Sequence, residues 1–122
     1  MRKNHPRTVI PSSSVRIDLD TQGRIGPGKI QLLENIHSCG SISAASRAMG
    51  MSYMRAWDLV GEINRICGRE TVERQKGGQN GGGATLTPFG FMLVARYRKI
   101  EHTVEDAVRE ELRGLCADIG AS

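Results

Sequence analysis

Three histidines, His5, His37 and His102, and three cysteines, Cys39, Cys67 and Cys116, are the side chains best suited to metal or nucleophilic chemistry in this chain. A structural zinc site draws its ligands from closely spaced pairs. Only His37-x-Cys39 comes near that spacing, and no second pair accompanies it. The pattern predicts no metal site. Serines are numerous, but Ser12, Ser13 and Ser14 lie in a stretch without apolar periodicity. Ser41, Ser43 and Ser52 each precede a periodic run, where a hydroxyl serves as a helix cap. No nucleophile stands beside a base, so the sequence points to no catalytic residue, no cofactor and no enzyme.

A second cluster, Lys76-Gly77-Gly78-Gln79-Asn80-Gly81-Gly82-Gly83, invites comparison with a nucleotide loop. Gly78 and Gly83 have the Walker spacing, but Ala84-Thr85 follow where Lys and Ser or Thr must hold phosphate and magnesium. The dinucleotide pattern fails as well, for want of a correctly spaced third glycine. What remains is a hairpin tip. With Arg74 and Lys76 beside it, such a tip suits a wing whose backbone N–H groups approach a phosphate chain; a mobile surface loop is the plainer alternative.

The elements that position these residues follow from periodicity. Residues 1 to 13 read as a flexible basic arm, and residues 14 to 87 as one domain. Val15, Ile17 and Leu19 alternate with charged residues in a short strand, which Thr21-Gln22-Gly23 breaks. With Pro27 as a first-turn residue, Ile30, Leu33 and Ile36 repeat along an amphipathic helix ending at Cys39-Gly40. A short second helix holds Ala44, Ala45 and Ala48, stopped at Gly50; a third starts at Ser52 and carries Ala56, Leu59, Val60 and Ile63 to Gly68. Thr71 to Arg74 and Ala84 to Leu86 form the two strands of the hairpin. Thr87-Pro88 starts a long helix, to about Ala117, with Leu93, Tyr97, Ile100, Val104, Val108, Leu112 and Leu115 stepping by three and four. At 1.5 Å per residue it is about 40 Å long, more than the small body covers. Its stripe is therefore expected to pair with a second copy, and residues 88 to 122 form a dimerisation helix and tail. The fold class is α+β, mainly helical.

Two short helices joined by Gly50-Met51-Ser52 match a helix-turn-helix: Ala45 is small, Gly50 allows the turn, and Met51, Val60 and Ile63 lock the second helix. That helix is then free to enter a major groove with its first residues. Simple core packing is the competing explanation. Trp57, the sole tryptophan, either packs at the edge of the core or faces outward, whereas Tyr53 at the helix start beside Arg55 is better placed for base or phosphate contact.

The chain has 122 residues and a formal net charge of +4. Basic residues exceed acidic ones in the N-terminal arm and in residues 41 to 80, while residues 81 to 122 are balanced. A pI near 9.3 suits a nucleic-acid partner without requiring one. No run of about 18 apolar residues appears, so no membrane span or membrane partner is expected. The basic start lacks an apolar continuation and is not read as a signal peptide. An odd number of scattered cysteines suits a reducing compartment, with the cytoplasm as the default.

Gly40-Ser41-Ile42-Ser43, Ser52-Tyr53-x-x-Ala56-Trp57-Asp58 and Glu62-x-Asn64 resemble the DNA-binding domain of the ModE family of molybdate-responsive transcription regulators. Val72-Glu73-Arg74, Gly77-Gly78 and Gly81-Gly82-Gly83-Ala84-x-Leu86-Thr87-x-x-Gly90 extend the likeness, which covers about residues 28 to 92. It implies a winged helix-turn-helix of the kind shared with LysR-type regulators, bound as a homodimer to a near-palindromic duplex operator. It also implies roles: Ser43, Ser46 and Arg47 approach phosphates, and Ser52, Tyr53, Met54, Arg55 and Trp57 face the groove. Arg74 and Lys76 lie on the wing. Met54 departs from the lysine common in the family, and Arg55 is the nearest replacement. Full-length members carry β-rich molybdate-binding domains after the long helix; this chain, ending at Ser122, is expected to be the DNA-binding and dimerisation part alone. The rival expectation is a winged helix that docks protein through its long helix and binds no DNA.

Overall fold

The computed structural model describes residues 10–19, 22–75 and 82–120. Two antiparallel hairpins and four helices follow one another in the order β1 (Ile17–Leu19), β2 (Gly23–Ile25), α1 (Pro27–Cys39), α2 (Ile42–Ala48), α3 (Tyr53–Cys67), β3 (Val72–Gln75), β4 (Gly83–Leu86) and α4 (Pro88–Gly120). The mainly helical α+β class holds. No described helix is long and apolar enough to cross a membrane.

Local chemistry sets the helix ends. Ser41 and Ser52 take extended backbone conformations, and their hydroxyls accept from the N–H groups of Ala44 and Arg55, both at 3.0 Å. Gly40 and Gly68 close α1 and α3 in the left-handed conformation, at φ 81° and 68°, which a residue with a Cβ adopts only with strain. α4 continues to Gly120, so its 33 residues span about 50 Å, longer than periodicity indicates.

α1 divides the core. On one side Ile30 and Leu33 pack with Ile25, Ile63, Ile66, Leu86 and Tyr97; on the other Leu32 and Ile36 pack with Ile42, Ala45, Ala56, Val60 and Ala84. Burial of these aliphatic side chains, at about 1.5–3 kcal/mol each, is what fixes α3 against α1 and α2. β3 and β4 pair from Val72↔Leu86 to Gln75↔Gly83, and the Ala84 N–H donates to the Gly40 carbonyl at 2.8 Å. The hairpin is thereby anchored at the α1–α2 junction.

Two further features differ from the sequence expectation. Gly23 does not end the first strand region but opens β2, which pairs Leu19 with Gly23 and Ile17 with Ile25. Its φ of 134° lets the chain turn back, and a Cβ there would press on the Ile66 side chain at 2.9 Å. Tyr97 is not on an outward stripe. It is 1% exposed, belongs to the core, and donates its hydroxyl to the Val15 carbonyl at 2.6 Å. Burial pushes its pKa up. Residues 1–9 of the expected arm lie outside the described residues; Pro11, Ser12 and Ser13 line a cleft with Glu105, Arg109 and Leu112 of α4.

Candidate nucleic-acid interface

α3 presents its polar side because the apolar residues of its sequence fall on the other. Ala56, Val60, Ile63 and Ile66 are buried, whereas Met54, Asp58, Gly61 and Arg65 are exposed. At about 100° per residue these four share the outward face. Tyr53 and Trp57 flank it on the side of the β3–β4 hairpin, and Arg55 flanks it on the other.

The hairpin side is tied together by rings and charge. The Arg74 guanidinium lies 4.9 Å from the Trp57 ring centre, and its Nη2 is 3.5 Å from the Tyr53 hydroxyl. Tyr53 and Trp57 meet edge to face, with centroids 6.2 Å apart. Trp57 is half-buried against the second core cluster and also carries the Arg74 guanidinium over its ring. Tyr53, Met54, Arg55 and Arg74 are all exposed. Lys76 and the glycine tip up to Gly81 lie outside the described residues.

At the start of α2 the expected phosphate set separates. Ser43 accepts from Arg47 Nη1 at 2.9 Å, which steadies an exposed guanidinium at the end of the helix. Ser46 is 3% exposed, and its hydroxyl donates to the Ser43 carbonyl at 2.7 Å. It faces the core and is removed from the contact set. Ser52 is exposed, but its hydroxyl is engaged as the α3 cap.

Several residues of the motifs that carry the resemblance are scaffolding. Asn64 Oδ1 accepts from the Thr71 N–H at 2.9 Å and from its hydroxyl at 2.6 Å, closing the turn between α3 and the hairpin. Glu62 pairs with Lys29 Nζ at 2.9 Å. That hydrogen bond holds the Glu62 carboxyl below its ordinary range, against the opposing effect of burial. Thr87 donates its hydroxyl to the Glu70 carbonyl at 2.7 Å and accepts from the Gly90 N–H at 3.0 Å. Gly90 is required because a Cβ there would collide with the Thr71 carbonyl oxygen.

Asp58 and Arg65 belong to the outward face of α3 and are missing from the sequence-derived set. A helical wheel drawn from the buried residues Ala56, Val60 and Ile63 finds both. No group of three or more His, Cys, Asp or Glu side chains among the described residues is placed to hold a metal ion.

On α4, Leu93 packs against the same core cluster as Tyr97. Arg98 forms a two-pronged pair with Glu34 at 2.6 and 3.0 Å and a third bond to Glu101 at 2.8 Å, fastening the helix to α1. Beyond this point Ile100, Val104, Val108 and Leu112 are half-exposed and Leu115 is 54% exposed.

Among solved structures, the CbnR DBD–DNA complex matches with a TM-score of 0.56 at 20% identity, over 75% of this chain and 95% of that one. Full-length LysG from Corynebacterium glutamicum matches with a TM-score of 0.56 at 26% identity, over 77% of this chain and 30% of that one. The fold is a winged helix-turn-helix of the LysR type, in which α2 and α3 are the helix pair and β3–β4 the wing. In sequence the chain is 41% identical over 83 residues to the transcriptional regulator ModE of Haemophilus influenzae, covering 68% of this chain and 32% of that protein. It is 44% identical over 71 residues to the DNA-binding transcriptional dual regulator ModE of Escherichia coli K12, covering 58% and 27%. The chain is homologous to the ModE transcriptional regulators over these stretches, and spans about a third of the length of the relatives it matches. No protein-family model matches it.

Proposed function

We propose that this chain binds duplex DNA sequence-specifically as a homodimer and regulates transcription. The observation that carries the reading is the outward face of α3, with Met54, Asp58 and Arg65 exposed between Tyr53 and Arg74 on one side and Arg55 on the other. A helix in the major groove reads base edges through such a face, while flanking cations and capped helix starts hold phosphates. Homologues named as transcriptional regulators and a structural neighbour solved with DNA support it.

Pairing through α4 uses Ile100, Val104, Val108, Leu112 and Leu115, with Tyr97 in the chain's own core and Leu93 packed against it. A second copy buries the stripe symmetrically, and a two-fold pair of recognition helices calls for a near-palindromic operator. Selection of bound duplexes from a random pool tests this: two inverted half-sites about one helical turn apart, or a multiple of that, are expected. Recovery of unrelated sequences would contradict sequence-specific binding. Docking of protein through an apolar stripe is the rival, and it separates from DNA binding by its weak response to salt.

A further inference from the structure

We propose that the β1–β2 hairpin is a second phosphate-binding edge, in which Arg16 and Arg24, together with Arg55, hold the duplex backbone on the side of α3 opposite the wing. The proposal rests on the DNA-binding reading and adds how the far flank of the recognition helix is held.

A cleft of about 430 Å³ opens between the hairpin, the start of α1, the helix-turn-helix junction and α3. Arg16, Arg24, Lys29 and Arg55 line it, over an apolar floor of Met49, Met51 and Leu59. Not all four cations are available. Lys29 Nζ is held by Glu62 at 2.9 Å and by the Arg24 carbonyl at 2.7 Å. Arg24 pairs with Asp18 at 3.2 Å, but the two side chains are 60% and 71% exposed, and such a pair is easily exchanged for a phosphate. Arg16 and Arg55 make no ion pair among the described residues. The stem of Arg16 lies against Gly26, where a Cβ would meet its Cγ at 3.4 Å, so its charged end is carried forward from a fixed base.

Position decides the occupant. Two residues along a helix turn the side chain through about 200°, so Arg55 lies across α3 from Tyr53. The outward face is thus bracketed by Arg74 on the wing side and by Arg16, Arg24 and Arg55 on the hairpin side. A major groove is walled by two phosphate chains, and a helix lying in it meets one on each flank. Arginine forks suit phosphate oxygens in pairs. The cations are strung along an open groove continuous with α3 and do not converge on one point, which fits a polymer backbone.

The test is a titration of a 30-base-pair duplex of random sequence at several salt concentrations, with wild type, Arg16→Gln, the double variant Arg16→Ala/Arg24→Ala, and Arg74→Ala. For the double variant the account expects a loss of roughly ten-fold or more, and a salt slope shallower by about two. Arg16→Gln, an exposed single change that leaves the hairpin pairing untouched, is expected to give about half that slope change. Asp18→Asn, which frees Arg24, should tighten binding. Wild-type affinity and slope in both Arg16 variants, alongside a weakened Arg74→Ala, would overturn the second edge and leave the DNA-binding reading standing. Absence of wild-type binding to this duplex and to the selected operator alike would overturn both.

Discussion

The guanidinium of Arg74, on the wing strand β3, lies 4.9 Å from the centre of the Trp57 ring on α3. One contact therefore ties the wing to the recognition helix. An exposed contact of this type is worth about 0.5–1 kcal/mol, enough to bias the exposed residues of β3 and α3 toward one spacing before any duplex arrives. Preorganisation of this kind lowers the ordering cost of binding.

Replacing Arg74 with Ala should weaken binding to all sequences alike and lower the salt slope by about one. Arg74→Lys keeps the charge but loses the planar stack, so it should retain the slope while changing the emission of Trp57, the sole tryptophan. If Arg74→Ala harms one operator sequence only, the residue reads bases and the wing assignment is wrong.

Tyr53→Ala should reduce specific affinity by roughly 1–3 kcal/mol, and Arg55→Ala, which removes a backbone contact, should weaken operator and scrambled duplex alike, both with the fold intact. Titration of the selected operator at fixed salt measures this. Undiminished affinity in both variants would remove these residues from the site.

Gly90→Ala should destabilise the domain by about 3 kcal/mol, the upper end for overpacking, because the new methyl group meets a backbone oxygen that cannot rotate away. Thermal melting followed by circular dichroism reads the loss. A melting point within a degree of wild type would show that the α4 entry tolerates movement.

The Lys29–Glu62 pair makes a pH-dependent contribution. Its hydrogen bond depresses the Glu62 pKa in the folded state, so the stabilisation is present above the usual carboxylate value, about 4.3, and disappears as pH falls through the folded value. Glu62→Gln should therefore be less stable than wild type at pH 7, and the difference should close in strong acid. Denaturant titrations at both pH values check it; a difference independent of pH would contradict the pairing.

Much of this fold is legible in the sequence because its helix ends are written in short-range chemistry. Ser41, Ser52, Gly40, Gly68 and Thr87-Pro88 mark ends that the structure keeps. What is not legible depends on partners far along the chain. Tyr97 fits the period of an outward stripe on α4, but it is buried among Ile25, Ile30, Leu33 and Leu86 and bonded to Val15, 82 residues away. Ser46 resembles a phosphate contact until its hydroxyl is seen turned to the Ser43 carbonyl. β2 is only three residues long and opens with a glycine, so it carries too little pattern to be told from a turn. Asp58 and Arg65 were within reach of helix geometry alone.

Val104→Asp or Leu112→Asp should convert a dimer to a monomer in sedimentation at micromolar concentration, with the winged domain still folded, since neither side chain joins the two core clusters. A wild-type monomer under those conditions would defeat pairing through α4.

Binding of duplex DNA by α3 and its flanking arginines has a steep ionic signature. Titration of the selected operator from about 50 to 200 mM salt tests it most directly, because six to ten phosphate contacts imply a fall in affinity of about 10³–10⁵ over that range. The account predicts that steep fall, together with much weaker binding of a scrambled duplex throughout. Affinity that stays constant across the range, or no measurable binding at its low-salt end, would contradict it.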